Sequence, residues 1–109
     1  MGCYQGNDRK AVIRIRTTPE ARQDLNDGYV FYELQDPGAG EYFAACLKAD
    51  ITGLKVTAGI HRQWQGFHKA LSKVFPHAIY YRFSGQEVIV IAVIDTRRDP
   101  DWIRNRLNQ

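Results

Sequence analysis

"FPHAIYYRFSGQEVIVIAVIDTRRDP", residues 75–100, decides the fold of this 109-residue chain. "HAIYYRF" and "EVIVIAVID" are rich in β-branched and aromatic residues, and the "SGQ" between them has the composition of a hairpin turn. The second run is apolar at every position from Val88 to Ile94, so both of its faces should be covered and it belongs in the middle of a sheet. Arg97 and Arg98 follow it at once. In the preceding strand, alternation sets Ala78, Tyr80 and Arg82 on one face and Ile79, Tyr81 and Phe83 on the other. One of the two tyrosines is then core and the other lies on an open face.

Outward from this hairpin, "RDPDWIRNRL" offers a short C-terminal helix, with Asp99 as cap, Pro100 in its first turn, and Trp102, Ile103 and Leu107 as docking residues. Upstream, "GFHKALSKVF" reads as a third strand and "HRQWQG" as the loop before it. Further back, "AVIRIRT" alternates, with Ala11, Ile13 and Ile15 on one side and Arg14 and Arg16 on the other. Between lie two helices. The first starts at Thr18 as N-cap with Pro19 in its first turn, places Ala21, Leu25, Tyr29 and Tyr32 at helical spacing, and tolerates Gly28. Asp36 and Pro37 repeat the cap-and-proline punctuation, so the second helix is expected to start there. Its stripe is Phe43, Cys46, Leu47, Ile51 and Leu54, with Gly59 as a stop.

The expected fold is α+β in the order strand, helix, helix, then three strands. A helical hairpin packs on one face of a small, mainly antiparallel sheet, the opposite face stays open, and a short helix closes the chain. Residues 1–10 read as a flexible lead-in and residues 11–109 as one domain. With 44% hydrophobic and 25% charged residues, the composition is that of a folded globular protein. The longest apolar run is far short of the roughly 20 residues of a membrane helix, and no secretory signal is visible, so the expected location is cytoplasmic. Cys3 and Cys46 form no disulfide framework and no metal-ligand spacing.

Charge is distributed unevenly. Residues 1–54 carry six Lys/Arg and eight Asp/Glu, a balance of −2, whereas residues 55–109 carry nine and four, a balance of +5. Arg82, Arg97, Arg98, Arg14 and Arg16 would together form an anion-binding sheet face or rim, since guanidinium groups offer paired donors to phosphate or carboxylate. Taken singly, an arginine more commonly just solvates a surface or pairs with a helix carboxylate such as Asp27 or Glu33, and it is Arg82 together with Arg97 or Arg98 that points to a site. Trp64, close to Arg62, is either an interaction hot spot or a cover for the core edge. Asp95 either orients Arg97, accepts a proton, or, as a strand-end carboxylate commonly does, bonds to a turn. His61, His68 and His77 show no metal spacing and read as loop or surface residues. The sequence contains no glycine-rich phosphate loop, no nucleophile elbow and no carboxylate cluster, so neither a cofactor nor a metal is expected.

"FPHAIYYRF", a polar turn, "VIVIAVID" and then "TRRDPDWIRNRL" resemble the C-terminal half of RelE/ParE toxins, and "PEARQDLNDGYVFYE" resembles that family's first helix. The resemblance covers roughly residues 11–107. It implies a toxin of a bacterial type II toxin–antitoxin (plasmid stabilisation) system, held inactive by a cognate antitoxin whose disordered segment folds along it. In the RelE-like branch the resemblance implies ribosome-dependent mRNA cleavage, with Arg82 in the place of a catalytic strand arginine. In the ParE-like branch it implies DNA gyrase inhibition by a binding surface alone. "RRDP", in place of a terminal Tyr or His-Tyr, favours the ParE-like branch. A non-toxic relative that only binds its antitoxin is the third reading.

Overall fold

The computed structural model describes residues 13–109; residues 1–10 and Ala11, where the lead-in and the start of the first strand are expected, lie outside the described residues. The elements are β1 (Arg14–Thr17), α1 (Pro19–Gln35), α2 (Ala39–Thr52), a one-turn α3 (Leu54–Thr57), β2 (Gln63–Trp64), β3 (Phe67–Leu71), β4 (His77–Phe83), β5 (Glu87–Asp95) and α4 (Pro100–Leu107). The expected order is present, with α3 and the two-residue β2 added. One five-stranded sheet runs β1-β5-β4-β3-β2, with β1 parallel to β5 and every other pair antiparallel. As its unbroken apolar run requires, β5 lies inside the sheet.

The α1 and α2 helices cover one face. Thr18 caps α1, its hydroxyl accepting from the Ala21 amide at 3.1 Å. Gly28, which costs helix propensity, is where the hairpin closes: a Cβ there would stand 2.5 Å from the Phe43 ring. Asp36, expected to cap α2, instead closes α1, and α2 starts at Ala39. The Glu33 carboxylate does the capping from the previous helix, accepting from the Gly38 and Gly40 amides at 3.1 and 2.9 Å. Phe43, Leu47, Ile51 and Leu54 are buried against Ile79, Tyr81, Val88, Val90 and Val93, with Cys46, a free thiol, packed on their margin.

The opposite face is not wholly open. Ile103 and Leu107 of α4 pack on Ala78, Tyr80, Ala92 and Ile94. Tyr80 and Tyr81 are therefore both buried, at 1% and 0% exposure, where one of them was expected on an open surface. A bulge makes room for both: Tyr80 pairs with Ala92 and Tyr81 with Val90, leaving Ile91 as an extra residue. Val88 and Val90 face the helical hairpin, and beyond the bulge Ala92 and Ile94 face α4. β1 pairs only with Glu87 to Val90, so past the bulge the outer edge of β5 has no strand beside it. Residues of α1 and its cap serve that edge. The Thr18 hydroxyl donates to the Ile91 carbonyl at 3.3 Å, and the Asp24 carboxylate accepts from the Val93 amide at 3.0 Å.

Candidate functional site

Away from α4, the second sheet face is basic, and strand register sets its layout. Arg16 pairs with Ile89, and Ile89 with Arg82. His68 pairs with Tyr81, which puts Phe67 beside Arg82, and Phe67 pairs with Trp64. Ile13 and Ile15 pack toward the helical hairpin, so alternation turns Arg14 and Arg16 the other way, onto the face that Phe67 and Trp64 share. One row across the sheet thus reads Arg16, Ile89, Arg82, Phe67, Trp64. Two strand spacings, roughly 10 Å, separate Arg16 from Arg82.

Aromatic rings hold two cations of this face in place. The Arg82 guanidinium lies 5.0 Å from the Phe67 ring centroid, and the Lys69 ammonium lies 5.7 Å from that of Trp64. Trp64 is half-buried on β2 and tilts against Tyr80 at 6.1 Å, so it covers the core edge and carries a cation at once. Expected in a loop, it sits in a strand because Gln65 and Gly66 both take positive φ, at 56° and 85°, which closes a two-residue hairpin. Arg62 is exposed two residues before Trp64, its carbonyl accepting from the Lys69 amide at 3.0 Å. Lys69 was not singled out by the sequence; alternation along β3 with Phe67 identifies it. Arg16 contacts Glu87 at 3.3 Å, while Arg14, Arg62, Lys69 and Arg82 have no carboxylate within ion-pair distance among the described residues. Apart from Arg16, the cations of this face can therefore donate to carboxylates or phosphates without first breaking internal pairs.

Arg97 and Arg98 do not join this row, which corrects the expected convergence with Arg82. Asp95 pairs with His77 at one end of β4, whereas Arg82 lies five residues further along, roughly 17 Å away. Arg97 is committed to Asp95: its Nε and Nη2 donate to the two carboxylate oxygens at 3.0 and 2.7 Å, and its backbone amide donates to Oδ1 at 2.8 Å. That guanidinium holds the Asp95 carboxyl down at about 2. Asp95 thus both orients Arg97 and bonds to the turn. Arg98 stacks at 4.0 Å on the ring of Trp102, which is 39% exposed and docks on neither core.

The histidines lie away from the basic row. His68 stacks on the Tyr81 ring at 5.0 Å, and His61 Nδ1 is 2.5 Å from the Tyr81 hydroxyl, which also accepts from the Gly59 amide at 3.0 Å. Burial, then His68, pushes the His61 pKa down. His77 is neither a loop nor a surface residue: it opens β4 at 8% exposure, its ring 4.9 Å from that of Phe43. Burial lowers its pKa, with Asp95 opposing. Among the described residues, no group of three or more His, Cys, Asp or Glu is placed to hold a metal ion.

Two comparisons bear on this arrangement. A chain of the chromosomal ParDE TA system from P. aeruginosa is similar in structure at a TM-score of 0.69 and 16% identity, covering 78% of this chain and 97% of that chain. At that identity the likeness carries the fold. No curated protein sequence matches the chain. Residues 15–100 match the family described as the ParE toxin of the type II toxin-antitoxin system, parDE, a span that runs from within β1 through β5 to the first residue of α4. The strand order, the helical hairpin and that match agree: the chain belongs to the ParE toxin family.

Proposed function

We propose that this ParE-family chain acts as a toxin by inhibiting DNA gyrase, that a cognate antitoxin neutralises it, and that the basic sheet face is its target-binding surface. The observation that carries this reading is the row Arg16, Ile89, Arg82, Phe67, Trp64, flanked by Arg14, Arg62 and Lys69. It concentrates cations and apolar contacts on one face, a combination suited to gripping an acidic surface. Arg97 and Arg98 belong to a second, separate rim. Among the described residues no helix is long and apolar enough to cross a membrane, and the proposed partners place the chain in the cytoplasm.

The reading as an mRNA endonuclease draws on one feature, the exposed Arg82 guanidinium, which would brace a phosphate. Proton transfer, the other half of that chemistry, calls for a group titrating near neutrality, and the described histidines lie off this face. Binding without catalysis is therefore favoured. The test measures the purified chain in a gyrase supercoiling assay beside a translating extract probed for mRNA cuts. Inhibited supercoiling with intact mRNA is expected, and Arg16→Glu/Arg82→Glu should relieve it. Codon-positioned cleavage with unaffected gyrase would transfer the proposal to the nuclease. Inactivity in both, with antitoxin binding retained, would make the chain a non-toxic relative.

A further inference from the structure

At the other end of β5 from the basic row, a groove of about 730 Å³ lies between α1 and α4, floored by the end of that strand. Its α1 wall carries Glu20, Asp24 and Asp27, spaced to share one helix face, and ends at Phe31. Beyond Phe31, which is 53% exposed, the same side of α1 continues with Leu34, exposed at 83%. The opposite wall is Trp102 with Arg98 and Arg106. Two of the three arginines lining the groove are already neutralised, Arg97 by Asp95 and Arg106 by Asp24 at 2.6 Å, and Arg98 lies on Trp102. Glu20 and Asp27 make no ion pair among the described residues, so the groove is acidic within a chain of net charge +3.

Two further observations point to a ligand. The floor is the stretch of β5 that has no strand beside it, and although Thr18 and Asp24 hold the Ile91 carbonyl and the Val93 amide, an extended chain can still lie along it between the walls of α1 and α4. At the inner end, His77 forms part of the wall, is 8% exposed, and has an Nδ1 without a hydrogen-bond partner among the described residues. A buried ring nitrogen left empty costs about 1–3 kcal/mol, a cost that an incoming hydrogen-bonding group would remove.

We infer that this groove binds an extended, basic peptide segment of a second protein, its arginine or lysine side chains set against Glu20 and Asp27 and an apolar side chain on Phe31 and Leu34. Arg98 on Trp102 shows that a guanidinium already finds this surface favourable. The basic sheet face and the groove would then select opposite chemistries, acidic at one end of the sheet and basic at the other. The groove inference does not depend on the gyrase reading, because it is tested without gyrase.

The full chain, labelled with ¹⁵N, would be titrated with the peptide Ac-Leu-Ser-Arg-Ser-Arg-amide. Saturable shifts are expected at the Trp102 indole and at the Gly28, Ile94 and Asp95 amides. A citrulline counterpart should bind about tenfold more weakly, as should the parent peptide to Glu20→Gln/Asp27→Asn, which should stay folded with a thermal midpoint lowered by only a few degrees, because both residues are exposed and lose no more than a first-turn charge and the Gln23 contact. Absence of saturable shifts at these positions would overturn the inference. So would equal binding of the citrulline peptide, tighter binding there of a glutamate counterpart or a short DNA duplex, or shifts that track only the concentration of the chain itself. Loss of peptide binding while gyrase inhibition persists would remove the groove alone.

Discussion

Two arginine-bearing regions lie at opposite ends of the same sheet and differ in how their charge is used. Around Arg82, two cations, Arg82 and Lys69, rest on aromatic rings, and, Arg16 apart, the cations of that face have no carboxylate within reach among the described residues. Around Arg97 and Arg106, each guanidinium is held by a carboxylate, Asp95 or Asp24. Local residue count does not separate the two regions; prior commitment of the charges does. Free charges make a binding surface, whereas committed charges hold elements together.

Breaking the Asp24–Arg106 pair should give the largest effect. Both side chains are well buried, at 15% and 13% exposure, and Asp24 also holds the Val93 amide. Burial pushes the Asp24 carboxyl up despite Arg106, so the pair is expensive to desolvate and adds little net stability. Removing one partner strands the other: Asp24→Ala should cost about 3–5 kcal/mol in urea unfolding, and Asp24→Leu/Arg106→Met should recover much of it. A double variant no better than Asp24→Ala would refute the stranded-charge account.

Next comes α4. Leu107→Ala should cost about 2–4 kcal/mol and increase solvent quenching of tyrosine fluorescence, because Leu107 belongs to the cluster that buries Tyr80. On the basic face, Arg16→Glu/Arg82→Glu should change stability by about 0.5 kcal/mol or less. Its loss of target binding should nonetheless reach about tenfold, with a shallower salt dependence in a pull-down or titration. A large drop in stability there would erase the distinction between the two regions.

The smallest effect is on acid sensitivity. The folded Asp95 pKa, about 2, lies below its ordinary 3.8, so the Asp95–Arg97 pair contributes above about pH 4 and the contribution disappears as pH falls toward 2. Asp95→Asn should differ from the parent by a small constant amount in neutral unfolding curves, the difference closing between pH 4 and 2. Solvent screening of the exposed Arg97 keeps that difference small.

Much of the fold was legible because periodicity and punctuation agreed with burial: Thr18 as cap, the Phe43–Leu54 stripe, and the double-sided burial of β5. Asp36 misled because Glu33, from one turn inside the previous helix, reaches the amides that Asp36 was expected to serve. The sequence puts Trp64 in a loop because a Gln-Gly pair is a weaker hairpin signal than Asn-Gly, although Gln65 adopts the same positive φ. At the candidate site, the alternation of Arg14, Arg16 and Arg82 was readable. The separation of Arg82 from Arg97 was not, because adjacency across a hairpin depends on distance from the turn. Arg82 lies near the turn, and Arg97 follows the strand's far end.

The extra residue at Ile91 works as a phase shift in an otherwise strictly alternating strand. Without it, the downstream half of β5 would turn its small and branched side chains to the wrong layers, offering Val93 to α4 and Ala92 to the helical hairpin. A single uncounted position therefore lets one strand serve two unlike coverings, a long helical pair over its first half and a short terminal helix beneath its second.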